Sequence, residues 1–479
     1  MGRRRGQTDP VIDVSGSELE PGSGAMRTLS EQVIGLLSTF VDGLDDAAAA
    51  RLALPDGLAR VLSQPPAEQP TELPALLETI RQAADYAVET AGPHFFGYIP
   101  GGGLFVSALA DLLAQTLNRY TGLADLAPGL VAIEDGVLRW LCDLFGLPSG
   151  AGGLLTTGGS MATLSMLVAA RQDRLDDSAS SGATRGTIYV SDQTNHCVRK
   201  AARLAGFPSA QVRMLPTTTE LRIDVDAAEA TIAADRAAGL RPFLLVATAG
   251  TTSAGVVDPL AELAMLARRY EMWCHVDACY GGFFQLTERG RDRLSGIEAA
   301  DSISLDPHKS LFLPYGSGAL LVRKVSTLAA AHTDDADYLP DVHGGALPDF
   351  AHLGAELTRG NRGLRLWLPL HLHGVQAFRA ALDEKLDLAQ WAYTQLAADE
   401  RLEVPYPCEL STVLFRLRGR DHSDNEAFLQ RINATNRVFL SSTSLAGRLT
   451  LRLCVLSHRT HARHVHDAVS IIRRAVEIC

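Results

Sequence analysis

Between residues 187 and 322 short apolar runs alternate with stretches of helical spacing. Thr187–Val190, Phe243–Ala247, Trp273–Val276, Ser302–Leu305 and Gly318–Val322 read as strands, with helices at Val225–Ala238 and Pro259–Tyr270 between them. Such alternation predicts an α/β fold, a mostly parallel sheet covered by helices on both faces. Upstream, Leu104–Leu117 and Val131–Phe145 have amphipathic helical spacing. After about Gly374 the pattern changes to one long helix, Val375–Ala398, then short strands and a last helix from His461, which predicts a smaller α/β domain. Near the N-terminus apolar residues recur at helical spacing from Leu29 to Phe40, and Pro55, Pro65, Pro66, Pro70 and Pro74 break the next stretch into short helices and turns. The first 28 residues are rich in Gly, Ser, Pro and charge and read as a disordered tail. The expected division is a tail at 1–28, an N-terminal helical segment at 29–104, a large domain at 105–374 and a small domain at 375–479.

Composition narrows the class. A chain of 479 residues, 46% hydrophobic and 21% charged, is that of a soluble globular protein of roughly two to three domains. A net charge of −11 argues against nucleic acid or an anionic membrane as the main partner. Seven cysteines are scattered without a C-x-x-C pair, so neither a disulfide framework nor a zinc or other metal site is expected, and the compartment implied is reducing cytoplasm. No apolar stretch reaches the roughly 18 residues needed to span a bilayer. Arg3-Arg4-Arg5 lacks the apolar core that would come next in a signal peptide.

Three stretches carry candidate chemistry. Lys309 comes after the alternating run Ser302-Ile303-Ser304-Leu305-Asp306-Pro307-His308. A lysine at the end of a buried strand can lose its proton, because desolvation disfavours the charged form, and can then attack a carbonyl as a free amine. That is what a Schiff-base lysine needs, and a surface lysine after a strand is the plainer alternative. In His275-Val276-Asp277-Ala278-Cys279-Tyr280-Gly281-Gly282, Asp277 ends a strand where small residues let a flat ligand approach, and it can pair with a pyridinium nitrogen. In Leu154-Leu155-Thr156-Thr157-Gly158-Gly159-Ser160-Met161, glycines and a serine open a helix, which presents N–H groups to an anion such as a cofactor phosphate. An ordinary capped helix start would read the same way.

The run Asp306-Pro307-His308-Lys309, with His275-Val276-Asp277-Ala278 and Ser191-Asp192-Gln193 before it, resembles the group II pyridoxal-phosphate-dependent decarboxylases. These include the aromatic-amino-acid, glutamate and cysteine-sulfinate decarboxylases. The likeness extends from about Leu73 to the C-terminus. It implies a fold-type I, aspartate-aminotransferase-like enzyme and an obligate homodimer with active sites at the interface, residues 29–104 packing on the partner. By resemblance Lys309 forms the Schiff base with pyridoxal phosphate, Asp277 pairs with its ring nitrogen, and Gly159 and Ser160 bind its phosphate. Thr252 and Asp306 then lie near the cofactor and His308 neighbours the lysine. Tyr98, in the aromatic and glycine-rich stretch His94–Gly103, contacts substrate. Gly101 stands where some relatives have a threonine near the phosphate, so one side-chain hydrogen bond is expected to be missing.

The most informative departure is Asn195, in Ser191-Asp192-Gln193-Thr194-Asn195-His196. Amine-forming relatives have a histidine there, stacked on the cofactor ring. Asparagine goes with decarboxylation coupled to oxidative deamination, with dioxygen as co-substrate and an aldehyde as product. An amide offers neither the stacking surface nor a group that titrates near neutral pH. A one-residue register difference, in which His196 stacks instead, is the alternative. Tyr338 matches the family's loop tyrosine, the expected proton donor, and so points the other way, toward an amine; an exposed loop aromatic is its plainer reading. Arg359 and Arg362 match family arginines that could pair with a substrate or loop carboxylate, or form surface ion pairs. Asn361, where relatives have an aromatic residue, hints at a more polar pocket.

The leading reading is therefore an enzyme that decarboxylates an L-amino acid and deaminates it oxidatively. Alternatives are a simple decarboxylase releasing an amine and a β-eliminating C–S lyase acting on a cysteine S-conjugate, as in lincosamide-type antibiotic pathways. A non-catalytic scaffold would predict a lost Lys309 or Asp277, and both are present.

Overall fold

A computed structural model describes residues 19–175, 186–333 and 346–477. It divides into two units, Met1–Val88 and Glu89–Cys479, rather than breaking at residue 104. In the first unit, helices α1 (Ser23–Gly43), α2 (Asp56–Leu62) and α3 (Leu73–Ala84) bury no residue. Helix α1 begins inside the stretch expected to be a tail, and residues 1–18 lie outside the described residues.

The second unit opens with α4 (Phe105–Leu117) and α5 (Pro128–Leu144). Then come β1 (Gly152–Thr156), α6 (Gly159–Arg174), β2 (Gly186–Ser191), α7 (His196–Leu204) and β3 (Val212–Leu215). Next are α8 (Val225–Ala237), β4 (Arg241–Thr248), α9 (Leu260–Arg269), β5 (Trp273–Asp277), β6 (Ser302–Leu305) and β7 (Gly318–Val322). The seven strands lie in the order β1-β7-β6-β5-β4-β2-β3. β2 through β6 are parallel, and only β7 runs against its neighbours. β2, β5, β6 and β7 are buried at every residue; β7 is accordingly apolar throughout, whereas β5 and β6 also bury His275, Asp277, Ser302 and Ser304. Each Leu, Ile, Val or Phe buried there contributes about 1.5–3 kcal/mol.

Every strand except β7 points its carboxyl end the same way, so the segments after β1, β2, β4, β5 and β6 meet along one edge. Those segments hold Gly158–Ser160, Asn195, Thr252, Asp277 and Asp306–Lys309. In open α/β sheets that edge is where ligands bind.

A long helix, Gly363–Ala397, turns out of helical geometry at Gly374 (φ 72°), where the sequence pattern places the change of domain. Beyond it β8 (Leu402–Glu403), β9 (Thr412–Leu417), β10 (Ser441–Leu445) and β11 (Arg448–Cys454) form an antiparallel sheet in the order β10-β11-β9-β8. This sheet shares a core of Phe415, Leu451, Leu453, Val465 and Ile472 with the last helix, Ala462–Val476, whose N-cap is His461.

Candidate active site

The segments at the sheet edge enclose a cavity of about 440 Å³. Gly159, Ser160, Asn195, His196, Thr252, Asp277, Asp306, His308 and Lys309 all line it. The structure thus gathers nine of the expected site residues, drawn from five separate segments.

One wall is the start of α6. Gly158 takes φ 150°, a conformation that favours glycine, and a Cβ at Gly159 would fall 2.4 Å from Cys279 Sγ. The Gly159 N–H does not face the cavity freely, since it donates to Asp306 Oδ1 at 2.7 Å. Ser160, one residue on, is exposed to the cavity, and neither its N–H nor its hydroxyl is hydrogen-bonded among the described residues. Of the two residues expected to bind phosphate, Ser160 therefore carries the available donors at the positive end of the helix.

Lys309 departs from the simple expectation. Burial alone would lower its pKa, yet the Asp306 carboxylate, 2.9 Å from Nζ, holds the ammonium above the ordinary lysine range. Desolvation does not free this amine; Asp306 holds its proton. His308 donates from Nδ1 to the Ser317 carbonyl at 2.6 Å, and burial pushes its pKa down. Its Nε2 lies 3.8 Å from Asp306 Oδ2. A Cβ on Gly101 would fall 2.0 Å from the His308 carbonyl oxygen, so a threonine has no room there in this packing.

Asp277 forms the floor at the end of β5. Its Oδ1 accepts from the Cys279 N–H at 3.1 Å and from Ser304 Oγ at 3.4 Å. Oδ2 has no hydrogen bond, and no basic side chain forms an ion pair with Asp277 among the described residues. A buried carboxylate open to a cavity on one side fits a cationic ring nitrogen.

Asn195 is the N-cap of α7. Its Oδ1 accepts from the Cys197 N–H at 2.9 Å and its Nδ2 donates to Thr252 Oγ1 at 3.0 Å, so both ends of the amide are fixed. Thr252 is held in turn by Arg452, whose Nη2 donates to its carbonyl at 2.6 Å and to that of Tyr98 at 3.2 Å.

Several expected residues lie elsewhere. Tyr98 is 63% exposed and does not line the cavity. Arg359 is buried against Glu134 at 2.5 Å, with Phe350 4.8 Å beneath its guanidinium. It is a core ion pair, not a surface one or a group facing substrate. Arg362 pairs with the loop carboxylate of Glu356 at 2.6 Å. Asn361 is buried outside the cavity. Tyr338 lies outside the described residues. Conversely, Thr157, Met161, Cys197, Cys279 and Tyr280 line the cavity without having been singled out as site residues.

The model of the pyridoxal-dependent decarboxylase conserved domain matches residues 55–418. The chain belongs to the pyridoxal-dependent decarboxylase family. It is 32% identical to the aromatic-L-amino-acid decarboxylase of Bacillus atrophaeus, over 96% of this chain and 97% of that protein. Similarity to the phenylacetaldehyde synthase of Arabidopsis thaliana is 27% identity over 96% of this chain and 97% of the relative. Among solved structures, Oryza sativa TDC with PLP and tryptamine superposes with a TM-score of 0.91 at 27% identity, covering 98% of this chain and 99% of that one. The family is enzymatic, depends on pyridoxal phosphate, and includes both simple decarboxylases and aldehyde synthases. The cavity suits that cofactor: a bare-backbone wall with free donors at Ser160, an unpaired carboxylate face at Asp277, and one lysine at Lys309.

Proposed function

We propose that this enzyme decarboxylates an L-amino acid with an aromatic side chain and couples that step to oxidative deamination. Per turnover one dioxygen and one water are consumed, and carbon dioxide, ammonia, hydrogen peroxide and an aldehyde leave. Bound pyridoxal phosphate supplies an electron sink for the pair left when carbon dioxide departs.

The work is divided among the residues of the cavity. Ser160 would bind the phosphate with its N–H and hydroxyl. Asp277 Oδ2 would hold the ring nitrogen. Lys309 Nζ is the amine that would capture the cofactor, and the Asp306 carboxylate, 2.9 Å away, holds it in the cavity.

The observation that carries the oxidative reading is Asn195. Its amide is pinned in the cavity wall by Thr252 and Cys197, and an amide offers no proton near neutral pH. The side chain at this position would then supply no proton to the reacting carbon, which would leave that carbon open to dioxygen. The phenylacetaldehyde synthase relative supports this outcome, and the names of both curated relatives support an aromatic side chain. Release of the amine is the second reading, favoured by His196 lining the same cavity and by the 32% identity to an aromatic decarboxylase.

We also infer a homodimer. Helices α1 to α3 bury none of their own residues, while Ile34, Leu37, Phe40 and Val41 on α1 present an apolar stripe that a second copy would cover. Among the described residues no helix is long and apolar enough to cross a membrane.

The test is to supply the loaded enzyme with L-phenylalanine, L-tyrosine, L-tryptophan and S-alkyl cysteines, monitoring oxygen uptake and product masses. Aldehyde with peroxide supports the reading. Amine without oxygen uptake, or pyruvate from the cysteines, contradicts it.

A further inference from the structure

Beneath the floor of the cavity, two buried strands carry polar residues on one face. His275 and Asp277 alternate on β5, and Ser302 and Ser304 alternate on β6. The register places His275 beside Ser302 and Asp277 beside Ser304. His275, Ser302 and Ser304 have no solvent exposure, and Trp273 has almost none. Buried polar groups of this kind must satisfy one another.

They form one continuous chain. Trp273 Nε1 donates to Ser302 Oγ at 2.7 Å, and Ser302 Oγ lies 2.8 Å from His275 Nδ1. His275 Nε2 lies 3.2 Å from Ser304 Oγ, which is 3.4 Å from Asp277 Oδ1. Cys279 Sγ donates to the same Ser304 oxygen at 3.5 Å.

The indole sets one end of the chain. An indole N–H can only donate, so the Ser302 oxygen accepts from Trp273, and among the side chains in reach His275 Nδ1 is left to take the Ser302 hydrogen. A neutral imidazole then carries its hydrogen on Nε2 and gives it to Ser304, leaving the Ser304 hydrogen for the carboxylate. The opposite polarity would strand the Ser302 hydrogen in the core and take the Ser304 hydrogen from Asp277. Burial pushes His275 down to about 4, in keeping with a neutral ring.

We infer that Trp273, Ser302, His275 and Ser304 are a one-way hydrogen-bond relay of positioning residues that orients the Asp277 carboxylate toward the cofactor ring. This rests on Asp277 being the ring-nitrogen partner. Each hydroxyl and the imidazole act through the next member, and Asp277 alone touches the cofactor.

The experiment has two readouts besides turnover. In protein labelled with 15N-histidine, the His275 ring nitrogens, identified by the signal that moves in Ser304→Ala, should show hydrogen on Nε2 and none on Nδ1 from pH 6 to 9. In the loaded enzyme, Ser304→Ala should weaken pyridoxal phosphate binding roughly tenfold to a hundredfold, the worth of one hydrogen bond to a charged group. It should also shift the pH at which the visible cofactor band titrates, and Ser304→Thr should restore both. A hydrogen on Nδ1, or a Ser304→Ala enzyme that keeps wild-type binding and band while Asp277→Asn changes both, overturns the relay. If Asp277→Asn changes neither, the ring pairing itself is wrong and there is nothing for the relay to serve.

Discussion

The floor and the rim of the cavity are built on different terms. At the floor Asp277 is 6% exposed, ends a fully buried strand and is backed by a chain of buried donors. At the rim Asn195, His196 and Thr252 sit on segments after β2 and β4, half-buried or exposed, and the Asn195 amide bonds only to Thr252 Oγ1 and the Cys197 N–H. A floor locked from behind suits chemistry that every turnover needs. A rim held by side-chain contacts between loops can change its residue without disturbing the core. In this enzyme the floor is proposed to set what the cofactor does and the rim which product leaves.

Replacing floor-level residues should abolish or cripple the enzyme. Lys309→Ala should give no lysine-bound cofactor band and no product, read by visible absorbance and product mass. Arg359→Ala tests whether that residue belongs with the buried framework. Removing one member of the Glu134 pair should cost about 3–5 kcal/mol in denaturant unfolding, with KM unchanged in whatever enzyme remains folded. A raised KM at unchanged stability would return Arg359 to the substrate. Asp277→Ala should lower kcat/KM by roughly 10²–10³-fold, as for other preorganised electrostatic partners.

The relay adds a pH signature. His275 has a folded pKa of about 4 against an ordinary 6.5. The unfolded chain therefore binds the extra proton first, so the stability that neutral His275 contributes is complete above pH 6.5 and is lost as pH falls toward 4. The loss is about 3 kcal/mol across that window. His458, pushed down to about 3 by burial, adds in the same direction. Urea titrations between pH 7 and 4 should show the decline, and it should be shallower in His275→Gln.

Much of the floor was legible in the sequence, because strands buried on both faces write themselves as short apolar runs. β6 and β7 fall on the expected residues and the floor aspartate ends β5, while Lys309 sits in a helical turn, Pro307–Ser310, just after β6 rather than at the strand end itself. β3 was missed because Val212-Arg213-Met214-Leu215 is a four-residue edge strand, partly exposed and without clean alternation. The Arg359 pairing could not be read locally, since Glu134 lies 225 residues away. Nor could the state of Lys309, because burial and the Asp306 carboxylate act on it in opposite senses and only their distance decides the outcome. The relay had a signal: polar residues at alternate positions of two buried strands, 275 and 277 beside 302 and 304.

At the rim the expected change is the smallest in rate and the largest in product. The most direct measurement of the central claim is the ratio of hydrogen peroxide to carbon dioxide released by the loaded enzyme and by Asn195→His on the same aromatic L-amino acid. The account predicts a ratio near one for the wild type, falling toward zero as amine replaces aldehyde in the variant. Carbon dioxide released with amine and no peroxide by the wild type would contradict it.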